Sequence, residues 1–286
     1  MDTDSAAFSG EFKGLWEAEA PARQLWMALE AFSESIDALA AAKATELASK
    51  TLPLLEEEMK NRTRPMEELY VNWVNLHWGR IVLRTLLKVR DSLRILFDSC
   101  NSANAYGAAL GSRAILEHVA LLEYFSSKVP WKANRAVKKE DVIQFTKDIQ
   151  RLSLGSRFDW DKLLSGGMKQ LLASGQWSRP KGERIPDLSD LIGVLDQTLF
   201  NLGRLHAKGQ IQFSYTVLCD VVHPSWGGDI VYAPRMYREM SADAKLGKHF
   251  RLLASLFCLP IVEVVGYLLT LSEALSKDQL SSVAWE

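Results

Sequence analysis

Apolar residues recur at threes and fours along most of this chain, the spacing that lines one face of an α-helix. The clearest run opens at Pro65, a good first-turn residue, and carries Trp73, Leu76, Val82, Leu86, Val89, Leu93 and Leu96 with no strong breaker before Asp98. One long helix is predicted there. Upstream, residues 21–60 are rich in Ala, Leu and Glu and predict a helix interrupted near Pro53, because an interior proline lacks a backbone donor and crowds the preceding turn. Downstream, the pattern predicts helices over 103–128, 139–152, 160–173, 188–205, 210–222 and 242–276.

Two stretches break the rhythm. Residues 175–186 and 224–234 concentrate Gly and Pro and read as surface loops or lids, the second holding the one strand-like run, Asp229 to Tyr232. There is no internal repeat and no low-complexity tract, and strand signals are too few for a sheet. The expectation is an all-α fold, a single helical bundle with long antiparallel helices and two Gly/Pro-rich surface loops. Residues 1–64 form an N-terminal helical extension of a bundle spanning 65–286, within one compact domain.

Residues 252–271 (LLASLFCLPIVEVVGYLLTL) have the length of a bilayer span, with Glu263 as the one charge. A central carboxylate costs roughly 3 kcal/mol on insertion scales while each Leu, Ile, Val or Phe returns about 0.3 to 0.6, so insertion is close to balanced. No second span is present and mean hydropathy is -0.06, which favours the other solution, a helix buried at the centre of the bundle. No membrane association is expected.

Composition adds limits more than identity. With 286 residues, 48% of them hydrophobic, the chain can bury a core without disulfides or metals. Thirty-four Lys+Arg against 35 Asp+Glu leave a net charge of -1, so any contact with nucleic acid must come from a local patch. Cys100, Cys219 and Cys258 are far apart and form no C-x-x-C pair, which excludes a zinc knuckle or disulfide framework and suits a reducing, cytoplasmic setting. The acidic start, Met1-Asp2-Thr3-Asp4, is unlike a secretory signal. His77, His206 and His249 lack ligands at metal spacing, and the P-loop, dinucleotide, esterase and zinc-protease motifs are missing, so no cofactor and no metal are expected. The nine tryptophans, Trp26, Trp73 and Trp160 among them, fit core stripes better than a recognition cage.

Two segments carry candidate chemistry. In Gly111-Ser112-Arg113-Ala114-Ile115-Leu116-Glu117-His118, Arg113 and Glu117 lie four apart and share a helix face, whereas His118 stands about 140° from Arg113 on an ideal helix. An ion pair that fixes a partly buried Arg is the structural alternative. In Ser214 to Ser225, the bond to Pro224 pushes His223 out of helical geometry, so a helix should end there with the imidazole at the negative end of its dipole. Asp220 is one turn back and placed to orient that ring, with Tyr215 earlier on the same helix, though a histidine that only caps carbonyls fits equally.

Together, the Arg-x-x-x-Glu helix and the later helix ending in Val-His-Pro-Ser resemble an uncharacterised group of bacterial helical proteins related to the HEPN superfamily. The resemblance covers residues 69–271 and rests on few residues. It implies a helical bundle, commonly dimeric and therefore a homo-oligomer. It further implies RNA as ligand, metal-independent ribonuclease activity of bacterial toxin or antiviral-defence type, and a protein partner from a defence or toxin–antitoxin operon. Arg113-x4-His118 matches the Arg-x(4 to 6)-His spacing of that superfamily, with Ala114 standing where a polar residue is usual. Metal-free cleavage needs a cation on the phosphorane oxygens plus an acid and a base. Arg113 fits the first role and His118 or His223 the others, with Glu117, Asp220 and Tyr215 completing the candidate catalytic set.

A third feature is the arc of Arg80, Arg84, Lys88, Arg90 and Arg94 opposite the apolar stripe of the long helix, within about 160°. Such an arc can track a nucleic-acid backbone or be a solvated, ion-paired face. Lys132, Arg135, Lys138 and Lys139 after Trp131 form a smaller basic group open to the same two readings. The rival functional class is a non-catalytic helical protein-interaction module in which the Arg/Glu/His cluster is structural.

Overall fold

A computed structural model describes residues 20–53, 56, 60, 66–101, 104–133, 137–154, 187–223 and 259–277. Among them are seven α-helices and no strand: α1 (Ala20–Glu46), α2 (Met66–Asn101), α3 (Ala105–Ser127), α4 (Lys139–Leu154), α5 (Leu188–Asn201), α6 (Gln210–Val222) and α7 (Leu259–Lys277). The predicted helix over 160–173, both Gly/Pro loops with the strand-like run, and the start of the last helix lie outside the described residues. So do the side chains of Lys132 and Arg135.

The interruption expected near Pro53 begins earlier, where α1 widens into a π-turn over Leu47–Thr51 and the Leu52 N–H bonds to the Leu47 carbonyl. A proline at 53 crowds the carbonyl four residues back, and a wider turn just upstream is one way the chain accommodates it. α3 begins at an Asn104 N-cap whose side chain accepts from the Gly107 N–H at 3.0 Å. α5 stops four residues short of the expected 205. Gly203 adopts φ 69°, and the Arg204 N–H reaches the Leu199 carbonyl at 3.0 Å, a Schellman stop that only glycine enters without strain.

α2 and α3 form a close antiparallel pair made possible by two glycines. A Cβ at Gly111 would stand 2.9 Å from the Ser92 carbonyl oxygen and 3.0 Å from the Leu96 nitrogen, and one at Gly107 would collide with Ser99 Oγ. Among the described residues α3 packs against α2, α5, α6 and α7, and α7 packs against α1, α2, α3 and α6. The last helix was expected at the buried centre, and over its described part α7 buries Ile261, Val264, Val265, Leu268 and Leu275, with Thr270 and Glu273 facing out. No helix among the described residues is long and apolar enough to cross a membrane.

The N-terminal helix belongs to the same core as the rest. Trp26, Leu29 and Ile36 of α1 are fully buried in one cluster with Val89 and Leu93 of α2 and Val265 of α7. At roughly 1.5 to 3 kcal/mol for each large apolar side chain, this face anchors α1 in that core.

Two buried carboxylates fix the helices that carry the candidate site. Glu123 of α3 accepts from Thr198 Oγ1 of α5 at 3.0 Å and from the Tyr267 hydroxyl of α7. Burial first, then the Glu123 hydrogen bond and charge, hold the Tyr267 phenol well above its ordinary pKa. Asp196 of α5, 1% exposed, accepts from the Gly209 N–H and the Ile211 N–H, both at 2.7 Å. Gly209 precedes α6 with φ 89° and has no side chain to cap it, so Asp196 supplies the cap from the neighbouring helix.

Candidate functional site

α6 leans against α3, and the contact brings together residues more than ninety positions apart. Arg113 Nε donates to Glu117 Oε1 at 2.7 Å. The Tyr215 hydroxyl donates to the same oxygen at 3.0 Å. Arg113 Nη1 lies 3.3 Å from His223 Nε2, and the guanidinium sits 5.8 Å from the Tyr215 ring centroid, within cation–π range. α6 ends where Pro224 requires, with His223 extended at φ -83°, ψ 152° and its N–H bonded to the Cys219 carbonyl.

The chemistry follows from what each group can give. A guanidinium only donates, so a hydrogen bond in this contact has His223 Nε2 accepting through its lone pair, the tautomer with the ring proton on Nδ1. Of the five Arg113 N–H groups, one serves Glu117 and one His223, which leaves three without a hydrogen bond from the described residues. Arg113 and Glu117 are 22% and 23% exposed, so the outer edge of the guanidinium remains in reach of a ligand. Burial works against the Arg113 charge, but the Glu117 hydrogen bond and carboxylate outweigh it and raise the pKa above its ordinary value. Burial, then the Glu117 charge and hydrogen bond, push the Tyr215 phenol well up, so it stays protonated at neutral pH.

His118 is elsewhere. It points away from Arg113 around α3 as the helical angle requires, and the Arg113-x4-His118 pair does not form. Its pKa is pulled down to about 4, by burial first and then by the Lys88 charge, with Glu117 acting the other way and Arg84 adding to the fall. At neutral pH the ring is uncharged. Asp220 is exposed and stands about 100° around α6 from Cys219, off the Tyr215–Cys219 side.

Cys219 is a member of the cluster that the sequence reading did not single out. Tyr215, Cys219 and His223 follow one another at i, i+4 and i+8, which puts Cys219 on the same side of α6, near Arg113 and Tyr215. That ladder spacing was the available signal. Among the described residues no group of three His, Cys, Asp or Glu side chains is placed to hold a metal ion. His77 stacks on Trp73 with ring centroids 4.1 Å apart, and burial, then Arg80, lower its pKa.

The basic arc on α2 divides. Arg90 pairs with Asp91 at 2.8 Å and approaches Asp37 of α1 at 3.8 Å, and Arg94 approaches the same carboxylate at 3.8 Å. Arg80 is exposed. Arg84 and Lys88 have their pKa values lowered by burial, Lys88 also by Arg84. Comparison of the chain with protein-family models, with curated proteins and with solved structures finds no match.

Proposed function

We propose that this protein binds RNA at Arg113 and cleaves it without a metal, with His223 as the base and Glu117 and Tyr215 holding the guanidinium. The observation that carries the reading is the Arg113–His223 contact, an anion-binding edge and a histidine lone pair 3.3 Å apart at an accessible site. A phosphodiester that takes the guanidinium N–H groups left over by the described residues in bidentate fashion competes for Nη1 and releases His223 Nε2. The freed lone pair then accepts the 2′-hydroxyl proton. The 2′-oxygen attacks phosphorus, the bond to the 5′-oxygen breaks, and that oxygen leaves as an alcohol after taking a proton from water, while the hydroxide so formed takes the proton from His223 and restores the base. The products are a 2′,3′-cyclic phosphate and a 5′-hydroxyl, and Arg113 stabilises the charge that develops on the non-bridging oxygens. The bacterial defence or toxin setting is carried only by the HEPN-like sequence pattern.

Incubation of purified protein with mixed RNA in EDTA tests this. Cleavage that disappears in Arg113→Ala supports the reading, and cleavage that survives it overturns the assignment. The rival reading, a helical interaction module, is favoured by exposed apolar side chains on α5, α6 and the turn between them: Val194, Phe200, Leu202 and Phe213, the last 66% exposed. RNA left intact and unbound under every condition favours that module.

A further inference from the structure

The register of α2 against α3 places Arg84 and Lys88 beside His118. Gly111 lies against Ser92 and Leu96, and two antiparallel turns further on, residue 118 of α3 is level with residues 85–89 of α2. Arg84 and Lys88 are themselves one turn apart, and like charges at that spacing repel. Among the described residues no carboxylate is within ion-pair distance of either. Glu117, whose charge acts on His118, is committed to Arg113 and Tyr215.

Arg84 and Lys88 are thus two like charges beside a neutral imidazole, and an anion would offset their repulsion. The place of these three groups relative to Arg113 indicates which anion. Arg113 and His118 border the two edges of one accessible strip of α3, about 140° wide, that carries Leu110, Ala114, Glu117 and Leu121. Leu110 is 39% exposed, so the strip has an apolar crest between two cationic edges. Phosphates on either side with bases lying across the crest match that arrangement, as in single-strand binding surfaces.

We propose that Arg84, Lys88 and His118 form a second phosphate subsite for a single-stranded RNA that crosses the crest of α3 from the Arg113 site. This rests on the RNA reading above and extends it from one phosphate to two. The subsite contributes affinity, and the reacting phosphate remains at Arg113.

The test is fluorescence anisotropy with a labelled single-stranded RNA dodecamer of mixed sequence, using the full chain and the double variant Arg84→Gln/Lys88→Gln. Loss of two phosphate contacts lowers the slope of log affinity against log salt by about 1.4 and weakens binding about tenfold near 0.15 M salt. An unchanged slope and affinity overturn the subsite while leaving the Arg113 site standing. A second probe, inorganic pyrophosphate followed by the NMR signals of the His118 ring, reads the subsite independently of RNA. Saturable shifts in the wild type and in Arg113→Ala, lost in the double variant, support it. Absence of shifts in the wild type overturns it. If the dodecamer does not bind at all while pyrophosphate shifts His118, the anion subsite holds and its assignment to RNA falls together with the Arg113 reading.

Discussion

Asp196→Ala should loosen the helix that delivers His223. Two backbone N–H groups lose a charge-assisted acceptor, Gly209 and Ile211, each at 2.7 Å. Hydrogen bonds to a charged group contribute about 1.5 to 3 kcal/mol each, and a carboxylate at a helix N-terminus adds about 0.3 to 1. Because Asp196 is 1% exposed, water cannot fully replace it, and the cavity adds its own cost. The expected loss is about 3 to 7 kcal/mol, a fall in Tm of roughly 5 to 12 °C for a chain of this size. Asp196→Asn keeps one acceptor oxygen and should lose about half as much. Differential scanning calorimetry gives the stability, and hydrogen exchange at the start of α6 gives its location, since the first turn should lose protection before α3 does. A Tm within about 2 °C of wild type in Asp196→Ala would refute the capping argument.

His118 makes stability depend on pH. Its folded pKa of about 4 lies below the ordinary value of 6.5, so between these limits the unfolded chain holds a proton that the folded chain does not. The folded state therefore loses stability as pH falls from about 6.5 to 4 and the effect levels off below. Discounted for partial exposure, the amount is about 1 to 3 kcal/mol. Thermal melts of wild type and His118→Gln across that window should diverge by this much, and parallel curves would count against it. Gly111→Ala improves helix propensity by about 1 kcal/mol, yet its methyl meets backbone atoms of α2 at 2.9 and 3.0 Å. Net destabilisation of about 1 to 3 kcal/mol is expected in urea melts, and a gain in stability would show that α2 can yield.

The long helices were legible because their signals are local. The stripe from Trp73 to Leu96 depends only on spacing along one element, and its helix runs from Met66 to Asn101. The end of α6 at His223 was equally legible, since the constraint comes from the next residue, Pro224. The end of α5 was within reach too, but Gly203 was not read as a stop. What sequence does not reveal is which faces meet. Asp196 is fifteen residues from Ile211 and resembles any other aspartate on a helix until α5 and α6 pack together. Arg90 and Arg94 read as part of a continuous basic arc because Asp37, which they approach, sits on another helix. The close pairing of α2 with α3 had the same origin. Apolar character on every side marks a covered helix, whereas the closeness of the α2–α3 pair depends on Gly107 and Gly111 meeting α2.

The account turns on His223 serving as the base beside Arg113, and product analysis tests it most directly. Wild-type protein, mixed RNA and EDTA should give fragments ending in 2′,3′-cyclic phosphate, and His223→Ala, which leaves Arg113 anchored by Glu117 at 2.7 Å, should slow their formation by about a hundredfold or more. Fragments with other ends, or an equal rate in His223→Ala, would contradict the account.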